Sequence, residues 1–192
     1  MARPHGPAAS APNRFDASRP QRMTSLPCAC GRAAAGRLGY PDAMSTPAPS
    51  ASSPFRRSTT LEQLNAMSTD TAMAPLGIVF TEIGPDYLRA TMPVDARTRQ
   101  PYGLLHGGAS VLLAETLGSS AGMLCCAPDH LCVGIEINAN HVNGIREGRV
   151  TGTARPLHVG SRTQVWEIRI EDDFGRLICV SRLTLAVIAQ RA

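Results

Sequence analysis

Gly107-Gly-Ala-Ser-Val-Leu-Leu-Ala-Glu-Thr-Leu-Gly-Ser-Ser-Ala-Gly-Met-Leu124 is the longest apolar segment of the chain. It is too long for one ordinary strand, and Ala and Leu recur throughout, so it reads as a helix. Apolar residues lie nearly all round it, which marks a helix buried in a core rather than laid on a surface. Residues 78–83 and 88–94 precede it as two strands joined at Gly84-Pro85-Asp86, a hairpin signal. An irregular stretch, 95–105, leads into the helix. Four strands follow. In residues 133–142 a strict alternation places Val133, Ile135, Ile137, Ala139 and His141 on one face. Residues 149–155 alternate the small Gly152 and Ala154 with polar side chains. Residues 164–170 set Trp166, Ile168 and Ile170 against Val165, Glu167 and Arg169. Asp172-Asp-Phe-Gly175 is a hairpin turn. Residues 177–188 return with Leu177, Cys179, Ser181, Leu183, Leu185 and Val187 on one face. Strands around one helix predict an α+β fold, an antiparallel sheet wrapped on a single long buried helix. Val79, Ile83 and Val165 fall on the other face, which is expected to bury against a second subunit.

Ahead of this domain, residues 1–58 are rich in Ala, Pro, Ser, Gly and Arg and carry neither a helical nor a strand period. They are expected to be a disordered tail. Being Arg-rich and acid-poor, the tail is like a transit peptide; the plainer alternative is that translation begins at Met44 or Met23. The folded domain is expected over 59–192, opening on a short amphipathic helix capped by Thr59 or Thr60.

Charge narrows the function classes. The net charge of +4 is concentrated in residues 1–57, which hold eight arginines and two acids. The remainder has 11 basic and 13 acidic residues, so it lacks the basic footprint of nucleic-acid binding. No unbroken run of about 18 apolar residues reads as a membrane span. The six cysteines form neither a disulfide framework nor a zinc-ligand spacing. Free thiols suit a reducing compartment, and a cytoplasmic location is expected.

Between Gln100 and Pro128 the chain carries one formal charge, Glu115. It sits mid-helix with no Lys or Arg within one turn. A buried, unpaired carboxylate is costly, so such groups neutralise, pair or work. The alternatives are a wet edge or an arginine from elsewhere. His106-Gly107-Gly108 starts the same helix, where free N–H groups make an anion site fit for an oxyanion; the alternative is an ordinary cap and tight turn. Glu115 lies eight residues on, about 12 Å along the helix axis. If both act on one carbonyl, one of them must come from a partner chain. His141 is read either as a catalytic-site residue or as a hydrogen-bonded core histidine. Gly160-Ser161-Arg162 could bind phosphate, or be a plain polar hairpin.

Taken together, Gln100-Pro-Tyr-Gly-Leu-Leu-His-Gly-Gly-Ala-Ser-Val-Leu-Leu-Ala-Glu-Thr-Leu-Gly-Ser119, Val133-Gly-Ile-Glu-Ile-Asn-Ala-Asn-His-Val142 and Pro156-Leu-His-Val-Gly-Ser-Arg162 resemble the hotdog-fold thioesterases. Within them they are most similar to the phenylacetate-pathway type and the 1,4-dihydroxy-2-naphthoyl-CoA hydrolases of menaquinone synthesis. The resemblance spans about 61–188. It implies hydrolysis of an acyl-CoA thioester, with an aromatic acyl group favoured. Glu115 would be nucleophile or general base. The Gly107 N–H would form the oxyanion hole, with Gln100 polarising the carbonyl and His106 orienting it. Ser119 would hold the attacking water, His141 would contact the acyl group, and Ser161 and Arg162 would meet the CoA phosphates. No metal or cofactor is called for, since CoA is part of the substrate. The family builds its site across a dimer, and its dimers often pair into tetramers. Two other activities compete. A hotdog dehydratase or hydratase would need a catalytic histidine within the helix region. A non-catalytic acyl-CoA-binding module would release no thiol.

Overall fold

The computed structural model describes residues 53–190. The expectations for residues 1–52 lie outside them. Thr60 caps the first helix, α1 (Leu61–Ala66). Its hydroxyl accepts from the Gln63 N–H at 3.2 Å, and the Gln63 side chain accepts from the Thr60 N–H at 3.0 Å. This reciprocal pair satisfies two of the orphan donors at a helix start. A further single turn, α2 (Met73–Leu76), ends at Gly77 in the left-handed conformation. Four residues are too few to show a helical period, so sequence patterning does not reveal α2.

The six strands and the long helix follow in the expected order. They are β1 (Val79–Ile83), β2 (Leu88–Pro93), α3 (Gly107–Cys125), β3 (His130–His141), β4 (Arg149–Val159), β5 (Thr163–Asp172) and β6 (Leu177–Ala189). The strands form one sheet in the order β1-β2-β4-β5-β6-β3. Every pairing is antiparallel. β3 therefore follows the helix in sequence yet lies at the far edge of the sheet, beside the last strand.

Helix α3 packs across the sheet, against β2, β3, β4, β5 and β6. Leu113, Ala114, Leu117 and Ala121 of α3 are fully buried against Ala154, Trp166, Ile168, Ile170, Cys179, Leu183 and Leu185. The alternation read in β5 and β6 is thus realised as the core face. Gln164 is the largest of the polar side chains buried here, only 1% exposed. Its Oε1 accepts from Trp166 Nε1 at 3.0 Å, and its Nε2 donates to the Gly122 carbonyl of α3 at 3.2 Å. A buried amide with both ends satisfied fixes the helix against the sheet at little cost.

Two expectations need correction. The single apolar face expected for β3 does not exist. A bulge between Gly134 and Glu136 shifts its register against β6. Val133 and Ile135 are exposed at 43% and 62%, whereas Ile137 and Ala139 pack on the core. One extra residue in a strand swaps the faces on either side of it. Ile83, expected on the outer face, also packs against the core, while Val79 is exposed.

The chain joins the fold before Thr59. Phe55 packs against the core. The N–H groups of Arg56 and Arg57 donate to the Leu124 carbonyl at 2.8 and 3.0 Å. The Arg57 guanidinium donates to the carbonyls of Cys126, Ala127 and His130 at 3.2, 2.6 and 2.6 Å. An upstream arginine thus closes the carbonyl end of α3, where cations are favoured. Among the described residues no helix is long and apolar enough to cross a membrane.

Candidate active site

The irregular stretch before α3 is a built loop. Gln100 N–H donates to the Leu104 carbonyl and Gly103 N–H to the Gln100 carbonyl, both at 2.8 Å. His106 N–H donates to the Thr98 carbonyl at 2.8 Å. Inside this loop the Gln100 Oε1 accepts from the Tyr102 N–H at 2.7 Å. Its acceptor end is thereby engaged by the main chain, and the Nε2 end is a donor. Gln100 shares a cavity of about 320 Å³ with Leu105, Gly107, Ser110, His141 and Asn143.

Gly107 is the first residue of α3, so its N–H has no intrahelical carbonyl to bond. A Cβ on Gly107 would stand 2.8 Å from His141 Nε2. The exposed His141 ends β3 and is not a core histidine. The structure thus brings Gln100, Gly107 and His141 into one cavity. His106 does not join them. Its Nδ1 accepts from the Gly108 N–H at 2.8 Å as the N-cap of α3. It lines a different cavity, of about 290 Å³, with Leu76, Arg97, Arg99 and Leu112.

Glu115 is half-buried on the outer face of α3. Its carboxylate rests against Gly134 of β3. Burial alone pushes its pKa above the ordinary carboxylate range. Among the described residues no arginine or lysine pairs with it. Ser119, one turn on, lines a cavity of about 410 Å³ with Arg57, Leu64, Met67, Met123 and Cys132. Ser161 lines a smaller cavity, about 160 Å³, together with Arg56, His130 and Val159. Arg162 gives its carbonyl to the Val187 N–H at 2.9 Å and holds its side chain exposed.

Within one chain, then, the Gln100–Gly107 cavity and the Glu115 carboxylate lie at different stretches of α3. Gln100 and Gly107 gather at its start; Glu115 and Ser119 lie about 12 Å or more along its axis. Sequence reasoning missed Ser110 and Asn143 in the donor cavity, because a lone serine or asparagine carries no pattern. It also missed Arg56 and Arg57, whose pairing just ahead of the Thr59-Thr60 cap was the available signal.

Among the described residues, Cys125 and Cys132 are held as thiols by burial. Burial pushes the Cys125 thiol up to about 11 and the Cys132 thiol up to about 12. Such thiols stay protonated near neutrality and are poor nucleophiles.

Comparison with known proteins bears on the same region. Residues 102–179 match the Thioesterase superfamily. The 1,4-dihydroxy-2-naphthoyl-CoA hydrolase of Escherichia coli is 59% identical over 134 residues, 70% of this chain and 98% of that protein. The proofreading thioesterase EntH of Cronobacter sakazakii is 53% identical over 134 residues, again 70% of this chain and 98% of that protein. A solved thioesterase from Haemophilus influenzae superposes with a TM-score of 0.70 at 48% identity, covering 72% of this chain and 96% of that one.

Proposed function

Since the chain belongs to the thioesterase superfamily of hotdog folds, we propose that it hydrolyses acyl-CoA thioesters, with Glu115 as the carboxylate that drives the reaction. One observation carries the assignment to Glu115. It is a half-buried carboxylate in an apolar helix, with raised pKa and no cationic partner among the described residues. A carboxylate held in this way is a stronger base than one in water.

The chemistry follows from the placement of the donors. The thioester oxygen accepts from the Gly107 N–H and from Gln100 Nε2, which stabilise charge as it develops. Glu115 attacks the carbonyl carbon to give a mixed anhydride, or takes a proton from a water that attacks it. CoA leaves as thiolate; in the first route water then cleaves the anhydride, releasing the acid and regenerating the Glu115 carboxylate. Ser119 holds the water, His141 faces the acyl group, His106 fixes the start of α3, and Ser161 and Arg162 meet the CoA phosphates. Glu115 and water suffice for this route, without metal or cofactor.

The separation along α3 calls for a second copy of the chain, whose Glu115 reaches the Gln100–Gly107 cavity of the first. β3 supports this reading: it is a long edge strand bearing exposed Val133 and Ile135, with exposed Val142 just beyond its end. Such edges invite pairing. We take the working form to be a dimer, with dimers pairing into a tetramer, acting in the cytoplasm. The 59% identity to a 1,4-dihydroxy-2-naphthoyl-CoA hydrolase favours an aromatic acyl group and a role in menaquinone synthesis.

The test is thiol release from 1,4-dihydroxy-2-naphthoyl-, hydroxybenzoyl-, phenylacetyl-, hexanoyl- and lauroyl-CoA, with Glu115→Ala in parallel. Fast release from an aromatic ester, lost in the variant, is the expected result. Binding of CoA esters without any release would replace the enzyme with a binding module.

A further inference from the structure

Gly134 stands in β3 where the backbone does not ask for glycine. Its φ lies outside the left-handed region, which among the described glycines Gly77, Gly103, Gly148 and Gly175 occupy. It pairs with Leu185 of β6 as any strand residue would. A glycine inside a strand gives up stability and packing relative to alanine. Something other than backbone conformation must therefore account for the missing side chain.

The space where that side chain would stand is already filled. A Cβ on Gly134 would overlap Glu115 Oε1, and would lie 3.3 Å from its Cδ and 3.7 Å from its Oε2. Among the described residues Glu115 has no ion pair to fix its orientation, and burial is the one influence on its acidity. The carboxylate lies directly against β3 at Gly134. The bulge follows immediately, between Gly134 and Glu136. Bulges re-aim the strand and the groups beside it next to functional sites.

We propose that Gly134 is a positioning residue: its absent side chain leaves a notch in β3 that seats the Glu115 carboxylate in its working orientation. The proposal rests on the reading of Glu115 as the catalytic carboxylate. A methyl group in the notch meets the far end of a flexible side chain, not backbone. The cheap response is for Glu115 to swing away, so the fold survives and the chemistry does not.

The experiment compares the parent protein, Gly134→Ala, Glu115→Asp, the double variant and Glu115→Ala, by thiol release from an acyl-CoA the parent hydrolyses. Gly134→Ala is expected to lower kcat at least tenfold, with KM within about twofold of the parent and an equal or higher Tm, since alanine suits a strand better than glycine. The shorter side chain introduced by Glu115→Asp does not reach the notch. Gly134→Ala should therefore cost less than about threefold in kcat when added to Glu115→Asp, a coupling that a structural glycine would not show. Parental kcat in Gly134→Ala beside an inactive Glu115→Ala would overturn the proposal. So would equal losses in both backgrounds, or a lowered Tm. An active Glu115→Ala would instead remove the reading of Glu115 on which the proposal depends.

Discussion

His141 Nε2 lies 2.8 Å from the point a Gly107 Cβ would occupy, so the end of β3 and the start of α3 meet in contact. This close approach sets the imidazole beside the first residue of the helix, and both line the same cavity. Gly107→Ala is expected to push the ring aside and crowd the N–H of that residue. Loss of one oxyanion donor costs about 10²–10³ in kcat; alanine keeps the N–H and only crowds it, so a smaller loss is expected here. Gly107→Ala combined with His141→Ala should recover the part due to the displaced ring and no more. Thiol-release kinetics of the two variants separate the contributions. Parental activity in Gly107→Ala would show that the close approach of His141 does not shape the site.

The Glu115 carboxylate is held above its ordinary pKa by burial. The folded protein therefore binds this proton more tightly than the unfolded chain does. The resulting stabilisation is present in full below the ordinary glutamate value of about 4.3. It is lost as pH rises through the higher folded value. Glu115→Gln keeps the shape without the charge. It is expected to raise Tm at a pH of about 7.5, leave it nearly unchanged near a pH of about 4, and abolish turnover. Calorimetry at the two pH values tests this. A variant less stable than the parent at the higher pH would show that the charge is paired in the working assembly.

The long helix was legible because an apolar run flanked by His106-Gly-Gly has few other readings, and its observed bounds, Gly107–Cys125, follow that run. The core faces of β5 and β6 were legible from plain alternation. β3 was not, because a bulge costs one residue of period and leaves no trace in composition beyond Gly134 itself. At the site, Gln100, Gly107 and His141 stood out by motif, and the fold gathers them. The notch that seats Glu115 could not be read, since the partner of a missing side chain is defined only in three dimensions. Arg57 was hidden for a related reason: its partners are main-chain carbonyls, which have no residue type.

Arg57 spans from ahead of α1 to the end of α3 and the start of β3. Those carbonyls belong to the C-cap of α3 and the residues just beyond it, and a guanidinium fork suits several of them at once. Arg57→Ala is expected to destabilise the protein by about 1.5–3 kcal/mol, the usual range for hydrogen bonds to a charged group. Arg57→Lys should restore only part of this, because an ammonium lacks the planar fork. Urea denaturation gives the magnitude. Hydrogen exchange should locate the loss at residues 124–132. A chain beginning at Thr59 should show the same loss, which places the working domain boundary upstream of residue 57.

Gln100 offers the sharpest test of the carbonyl-binding half. Its Oε1 is anchored by the Tyr102 N–H at 2.7 Å, so under the proposed mechanism Nε2 is the end that donates to the thioester oxygen. Gln100→Ala removes that donor and loosens the loop. Gln100→Glu keeps the length and can still accept from Tyr102, yet it presents an acceptor where a donor was. Near neutral pH a carboxylate there opposes the negative charge that develops on the thioester oxygen. The expected order of kcat is therefore parent above Ala above Glu, with the Ala variant down by about 10²-fold and Gln100→Glu lower still despite its closer shape. A role confined to shaping the loop predicts the reverse order of the two variants, because glutamate preserves the anchor and alanine does not. The ranking of these two kcat values, read with Tm to control for folding, decides between a donor to the reacting carbonyl and a structural turn.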